Sequence, residues 1–437
     1  MKKHRDGRSA ATRRVRGNRS ARPAQKQPLC PDPSRGLPAV FLRTPTNRPL
    51  VYRKRISHVD PAAKPGDWVA VYTDSETLLG YGVYNPRSEI ALRILRFGPQ
   101  LPDEAFWDTT LAQAIGLRRE VLRLDEVTNA YRLVHAEADG VSGLVIDRFD
   151  DVLSAEVFSL ALWQRAEEIL ARCAALCGAR HTLIQPAPLV LSQEGFDAPP
   201  RISEGAPREV IIREFGTRFR VRFEGGHKTG FFCDQRDNRR MLASLCRGKS
   251  VLDLCCYTGG FAVQAKKLGQ AEEVIGVDLD EAPLRLAREN AALNQVRVRF
   301  VQSDVFPFMR DMLRAGRQFD VVVLDPPKLI RSRAEIDEGT RKHFDLNRLA
   351  MQLVRPGGVL LSCTCAGLLD WEAFLKLLHS AARQAGDPLP MAAGEEFARR
   401  GPRPMQIFAK TGAAMDHPIG SNTPETEYLR AVWMRLG

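Results

Sequence analysis

No apolar run in this 437-residue chain approaches the roughly 18 residues that a membrane-spanning helix needs, which argues against a helical membrane protein. An apolar leader is also missing from MKKHRDGRSAATRRVRG, so no secretory signal is read and the cytoplasm is the expected compartment. None of the nine cysteines has a CxxC partner. The usual zinc frameworks are thereby removed, no metal is expected, and the odd count points to reduced thiols rather than disulfides. Cys173 and Cys177, four apart in a helical stretch, read as helix packing. No internal repeat is visible. An acidic surplus is absent too, since 64 Lys and Arg against 52 Asp and Glu give +12. Residues 1–30 hold ten bases and one acid, or +9, so 12 − 9 leaves only about +3 for the rest. Residues 1–37 therefore read as a disordered basic tail, free to contact phosphates or simply to keep the chain soluble.

What remains is globular in composition, 44% hydrophobic and 27% charged, and long enough for two or three domains. Between about 38 and 97, AVFLR, DWVAVYT, GYGVYN and EIALRIL are short strands separated by turn signals such as Lys64-Pro65-Gly66 and Asn85-Pro86. A small barrel would close such a sheet. Residues 111 to about 205 mix the helical WQRAEEILARCAAL with strand-like GLVIDRF, DVLSAEVF and HTLIQ, a small α+β unit. The hairpin VIIREFGTRFRVRFEGG follows, with Gly216 at its turn. In it Phe219, Val221 and Phe223 alternate with Arg218, Arg220 and Arg222, so one face is apolar and the other cationic. That second face reads either as an RNA-facing stripe or as an ordinary solvated one.

From residue 248 the pattern changes. SVLDLCC, EEVIGVD, RVRFVQSD, FDVVVLD and GVLLSCT are apolar throughout, as parallel strands buried on both faces should be, with Cys255 and Cys256 placed within the first. Helical stretches such as EAPLRLARENAALN lie between them, which defines a doubly wound α/β domain. In such a sheet ligands bind at the carboxyl ends of the strands. Asp253 lies within the first strand, followed by the glycine turn Tyr257-Thr258-Gly259-Gly260, which matches neither GxGxxG nor a P-loop. Asp278 ends the second strand at ribose-binding spacing, Asp304 ends the third within Gln302-Ser303-Asp304, and Asp325 ends the fourth in Asp325-Pro326-Pro327-Lys328. Four acids in register without a phosphate cradle suit an adenosine bearing a cationic centre, hence S-adenosylmethionine. SCTCAG brings the Cys365 thiol to the same rim.

The run GHKTGFFCDQRDNR (226–239), with VLDLCCYTGGFAV, GVDLD, DPPK and TCAG in this order, resembles the bacterial large-subunit ribosomal RNA cytosine-5 methyltransferases that carry an N-terminal PUA domain. GVYNPRSEIALRIL, YRLVHAEADGVSGLVIDRF and DHPIGSNTPETEYLRAVWMRL extend the likeness to nearly everything after residue 38. The resemblance implies a PUA-like RNA-binding domain over 38–110, a middle domain over 111–207 and a Rossmann-like methyltransferase domain over 208–437. It implies that Lys228, Thr229, Gly230, Phe231, Asp234, Gln235 and Arg236 line the cofactor site. By the same likeness Asp253, Tyr257, Thr258 and Gly259 sit beside the methionine part, Asp278 takes the ribose, and Asp304 lies near adenine. Asp325 matches the base-reading acid and Cys365 the nucleophile. The opening RTPTNRPLVYRKRI follows the family's glycine-rich start only loosely.

Carbon 5 of cytosine is a poor nucleophile, so attack of the Cys365 thiolate on carbon 6 is expected to precede methylation. Lys328 is a candidate for lowering the thiol's pKa, and Cys363 is expected to face away from Cys365. The resemblance implies an RNA partner, ribosomal RNA, with no membrane expected, and the oligomeric state is open. N-methylation of a guanine or adenine, and a non-catalytic assembly factor, are the alternatives.

Overall fold

The computed structural model describes residues 25–223, 230–387 and 400–437. Strands β1 (Ala39–Leu42), β2 (Leu50–Val51), β3 (Ile56–Val59), β4 (Trp68–Thr73), β5 (Leu78–Tyr84) and β6 (Leu92–Phe97) form a six-stranded sheet in the order β2-β6-β5-β4-β1-β3. Register shifts at Phe41/Leu42, Val71/Tyr72 and Tyr81/Gly82 bend it around its own core of Val40, Leu42, Val51, Val69 and Val71. Trp68, Val83 and Leu95 instead join the core of the next unit.

That unit opens with α1 (Glu104–Gly116), which runs across residue 110 and buries Trp107, Leu111, Ala114 and Ile115 against it. Its sheet holds β7 (Ala130–His135), β8 (Leu144–Phe149), β9 (Val152–Val157), β10 (His181–Pro186) and β11 (Arg201–Ile202), in the order β11-β10-β9-β8-β7. Helices α2 (Leu160–Trp163), α3 (Ala166–Cys177) and α4 (Val190–Glu194) accompany it. On α3, Ile169, Leu170, Cys173 and Cys177 recur at helical spacing and are buried, so the two cysteines are packing residues.

The N-terminal segment departs from expectation. Residues 1–24 lie outside the described residues, but residues 25–37 are packed on this core, with Leu29 1% exposed and its carbonyl accepting from Trp68 Nε1 at 3.1 Å. Cys30 and Leu37 pack beside it, the Pro28 carbonyl accepts from Arg165, and the prolines around Leu29 reduce the entropy lost on ordering.

The hairpin pairs β12 (Glu209–Glu214) with β13 (Thr217–Arg222). Seven strands then build the largest sheet: β14 (Ser250–Leu254), β15 (Glu273–Asp278), β16 (Arg299–Gln302), β17 (Phe319–Leu324), β18 (Val354–Thr364), β19 (Met405–Thr411) and β20 (Arg430–Leu436). Their order is β16-β15-β14-β17-β18-β20-β19, parallel except for β20, which is antiparallel to both neighbours. Helices α5 (Arg236–Ser244), α6 (Gly260–Lys267), α7 (Glu281–Leu293), α8 (Val305–Arg314), α9 (Ile336–Leu353) and α10 (Trp371–Ala382) complete the unit. Alternate residues serve opposite layers: Leu252, Leu254, Val322 and Leu324 pack with α8, α9 and α10, whereas Val251, Val321 and Val323 pack with α5 and α6. The strand order reverses between β14 and β17, which opens a ligand crevice there.

Two expectations change. Cys255 and Cys256 lie beyond the end of β14, where the chain must turn out of the sheet. The arginines of β13 do not form an open stripe. Arg220 and Arg222 pair with Glu209 and Glu289, the last at 2.7 Å from Arg222, and Arg218 donates to the Leu293 carbonyl. Carboxylates one strand and one helix away neutralise the charge that spacing alone left unassigned.

The segment 412–429 crosses back over the middle unit and is anchored by Asp416, which is wholly buried. Its carboxylate accepts from Arg236 at 2.8 and 3.1 Å and from the Arg132 amide at 2.7 Å, while its carbonyl accepts from Arg118. Burial opposes the charge, yet His417 and Arg236 outweigh it and hold the carboxyl well below the usual range. Replacing Asp416 by Asn leaves the buried Arg236 short of a counter-charge. The variant should lose roughly 3–5 kcal/mol in a denaturant titration, and an unchanged midpoint would remove Asp416 as the anchor.

Candidate functional site at the carboxyl ends of the strands

After Leu254 the backbone leaves the sheet through two strained positions, Cys255 (φ 62°) and Tyr257 (φ 48°), both left-handed without being glycine. Three hydrogen bonds hold this turn. The Cys256 amide donates to the Val277 carbonyl, the Gly259 amide to the Cys256 carbonyl, and the Tyr257 amide to Asp278 Oδ2 at 2.8 Å. Gly259 (φ 78°) opens α6 where a Cβ would come within 3.0 Å of Phe300 and 3.1 Å of Ala287, so the glycine is required. Thr258 is buried, its carbonyl accepting from Asn290.

The four acids converge. Burial pushes the Cys255 thiol up, and Asp278, Asp325, Asp253 and Asp304 all push it further. Asp253 is 1% exposed, accepts from the Ala262 amide through Oδ2, and has no partner for Oδ1 among the described residues. Its own carboxyl is raised by burial and then by Asp325, so a cation arriving there would relieve both effects. Asp278 lies part-exposed, held by the Tyr257 and Asp280 amides, and Asp304 caps α8 through the Phe306 amide. An orphaned acceptor beneath a ring of carboxylates is a donor set that fits the aminoacyl and sulfonium end of S-adenosylmethionine, with Asp278 available to the ribose.

Asp325 follows β17 directly. Gln235 Nε2 donates to its Oδ2 at 3.0 Å, and the amide is oriented because Gln235 Oε1 accepts from Asn238. Asn238 in turn accepts from Thr411, which accepts from Trp433 Nε1. The neighbouring Asp234 accepts from the Tyr428 hydroxyl at 2.6 Å. Arg236 differs from its expected place, since it is engaged with Asp416 and is fully buried away from the crevice. Phe231 is likewise buried, packed on Phe219 and under Arg239, and Gly230 (φ 126°) leaves no room for a Cβ, which would meet Val221 at 2.8 Å. Lys228 and Thr229 lie outside the described residues. Asn238, Arg239, Thr411 and Tyr428 escaped sequence reasoning; single polar residues on a helix face, at a strand end or in irregular chain carry no periodic signal.

Cys365 follows β18, whose Ser362 is in register with Leu324 of β17, so the thiol and Asp325 leave adjacent strand tips. The expectation that Cys363 faces away from Cys365 is reversed. Residues two apart in a strand share a face, and Cys363 lies among Asp325, Gln235 and Cys365. It is wholly buried, and burial followed by Asp325 raises its thiol far above the usual value, which leaves it inert. Thr364 and Ser362 point to the opposite layer, where they meet His343 Nε2 at 3.2 Å and Asn347 Oδ1 at 2.6 Å. Two polar residues of α9 thus brace the tip that carries Cys365, the more exposed of the pair.

A crevice of this kind at the switch point of a 3-2-1-4-5-7-6 sheet defines an S-adenosylmethionine-dependent methyltransferase, and residues 161–388 match the family model of that description, while 46–97 match a PUA-like domain. The chain is 36% identical over 392 residues to the ribosomal RNA large subunit methyltransferase I of Vibrio cholerae serotype O1, covering 87% of this chain and 94% of the relative. The enzyme of that name from Aeromonas hydrophila is 36% identical over 394 residues, with 89% and 95% covered. This chain belongs to the ribosomal RNA large subunit methyltransferase I family. In fold it superposes on an S-adenosylmethionine-dependent methyltransferase from Streptococcus mutans with a TM-score of 0.72 at 18% identity, over 91% of this chain and 99% of that one. A further such crystal structure, complexed with SAH, gives 0.73 at 18% identity with the same coverage.

Burial lowers His343 to about 4. A folded value below the unfolded one of roughly 6.5 means that stability is complete above that pH and is lost as pH falls toward 4. Between pH 7 and 5 the wild type should lose on the order of 2 kcal/mol more than His343→Gln in urea titrations. Equal losses would show that His343 does not titrate as a buried base.

Proposed function

We propose that this chain methylates carbon 5 of a cytosine in RNA, with large-subunit ribosomal RNA as the substrate, using Cys365 as nucleophile. One observation carries the reading: a part-exposed thiol and a carboxylate stand on adjacent strand tips beside the crevice suited to the cofactor. The names of the relatives support the RNA class, and the residues at the rim support the reaction. The division of the chain at 38–110, 111–207 and 208–437 belongs to the same reading, with α1 bridging the first boundary.

Asp253, Tyr257, Thr258, Gly259, Asp278 and Asp304 would hold S-adenosylmethionine. When bound, the cofactor supplies an electrophilic methyl group. The protein's own task is to make carbon 5 nucleophilic. The Cys365 thiolate adds to carbon 6, which breaks the ring's aromatic conjugation and moves electron density to carbon 5. Asp325 binds the N3 and amino edge of the base, and Gln235, fixed by Asn238, keeps that carboxylate from rotating. Once carbon 5 is methylated, a base, with water sufficient, takes the carbon 5 proton, the C–H electron pair re-forms the 5,6 bond, and the Cys365 thiolate leaves carbon 6. Lys328, exposed at the end of the stiff Asp325-Pro326-Pro327 turn, is the cation assigned to favour the thiolate. The target base must be unpaired or flipped for carbon 6 to be reached.

Cys365→Ala should abolish methylation, a loss of at least about 10³-fold, while S-adenosylmethionine still binds by calorimetry. Digestion of wild-type product RNA to nucleosides should yield 5-methylcytidine by mass spectrometry. Activity retained by the alanine variant, or a methylated purine, would overturn the reading.

A further inference from the structure

A cavity of about 590 Å³ opens where three parts of the chain meet: the six-stranded sheet, the middle sheet and the segment 412–429. Its size falls within the roughly 300–1,000 Å³ of pockets that take small organic groups. Two of its wall residues are aromatic rings left open to solvent, Tyr52 at 48% and Phe158 at 37%. Two arginines and four glutamates supply the formal charge of the wall. Arg93 is buried and already committed, donating to Glu137 Oε1 at 3.1 Å and to Ser142 and lying 4.0 Å from Glu194. Arg87 donates to the Gly195 carbonyl. Burial lowers His135 to about 2, so that ring is neutral; its Nδ1 faces Arg132 at 2.9 Å.

The net charge of the wall is therefore about −2, from +2 and −4. A flat ring that donates hydrogen bonds is favoured: the open rings supply stacking faces, while Glu137, which uses Oε1 for Arg93 and Ser142, and Glu89, exposed at the rim with one oxygen 3.8 Å from Arg53, supply acceptors. Tyr428 places the cavity next to the catalytic crevice. It lines the wall and donates to Asp234, whose neighbour Gln235 donates to Asp325.

We propose that this cavity receives an unpaired adenine or cytosine of the RNA strand that carries the target, stacked on Tyr52 or Phe158 with its exocyclic amine donating to Glu89 or Glu137. Uracil, which lacks that amine, is disfavoured. The phosphates of the strand stay outside. The inference rests on RNA being the substrate but is independent of which base is methylated.

The test uses the full-length protein and fluorescein-labelled hexamers of rA, rC and rU. Wild type should bind rA and rC more tightly than rU by fluorescence anisotropy. Tyr52→Ala and Phe158→Ala should each weaken rA and rC by about fivefold or more, and Tyr52→Phe should restore them. The same alanine variants should raise KM for protein-free large-subunit ribosomal RNA with kcat and S-adenosylmethionine affinity unchanged. Unaltered hexamer binding and KM in both alanine variants, tighter binding of rU, or no hexamer binding by wild type would overturn the assignment. Wild-type methylation of RNA alongside such a result leaves the enzymatic reading standing. Ring-dependent hexamer binding without any methylation would do the reverse.

Discussion

The buried pair between Asp416 and Arg236 is the constraint on which the site depends. A wholly buried carboxylate is stable only when paired, and here its partners come from α5, from the amide of β7 and from Arg118 ahead of the middle sheet. Three distant stretches are thereby fixed at one point. Arg236 immediately follows Gln235 and Asp234, so the anchor sets the place from which they reach Asp325 and Tyr428. A second buried pair works alongside it. Arg239 donates to both oxygens of Glu214 at 2.8 and 2.6 Å and to the Phe232 carbonyl, joining the hairpin to the segment that borders the cofactor crevice. The chemistry therefore rides on polar contacts that a hydrophobic core alone would not specify.

Electrostatically the crevice is prepared for a cation. Asp253 is kept from ionising easily by burial and by Asp325, and one of its oxygens is unsatisfied. That cost is tolerable in a resting protein only if a ligand later removes it. The strained backbone at Cys255 and Tyr257 belongs to the same arrangement, because it turns the amide of Tyr257 back onto Asp278. Burial first, and the surrounding carboxylates after it, push the thiols of Cys255 and Cys256 above their usual value despite their position at the rim.

Much of this was legible in the chain. Continuous apolar runs disclosed the parallel strands, and acids at their ends disclosed the crevice, because both signals follow from burial on two faces and from the polarity of strand tips. The position of Cys365 just after a strand, at the rim of the crevice, was legible, and its role as nucleophile belongs to the proposed function. Other features were not. Nothing local distinguishes Arg236 as a structural ion rather than a cofactor ligand, since its partner lies 180 residues away. Arg220 and Arg222 looked like part of an open cationic face until Glu209 of β12 and Glu289 of α7 were placed beside them. Leu29 looked like part of a soluble tail because a single apolar residue makes no pattern, yet Trp68 was waiting for it.

The order of strands in the seven-stranded sheet has a temporal meaning. β20 follows β19 in the chain but lies between β19 and β18. While the polypeptide emerges, β19 has no neighbour to zip against, and Thr411 cannot yet receive the indole of Trp433. The two leading sheets can collapse early on local pairings, whereas the catalytic half must wait for its final strand to be wedged home.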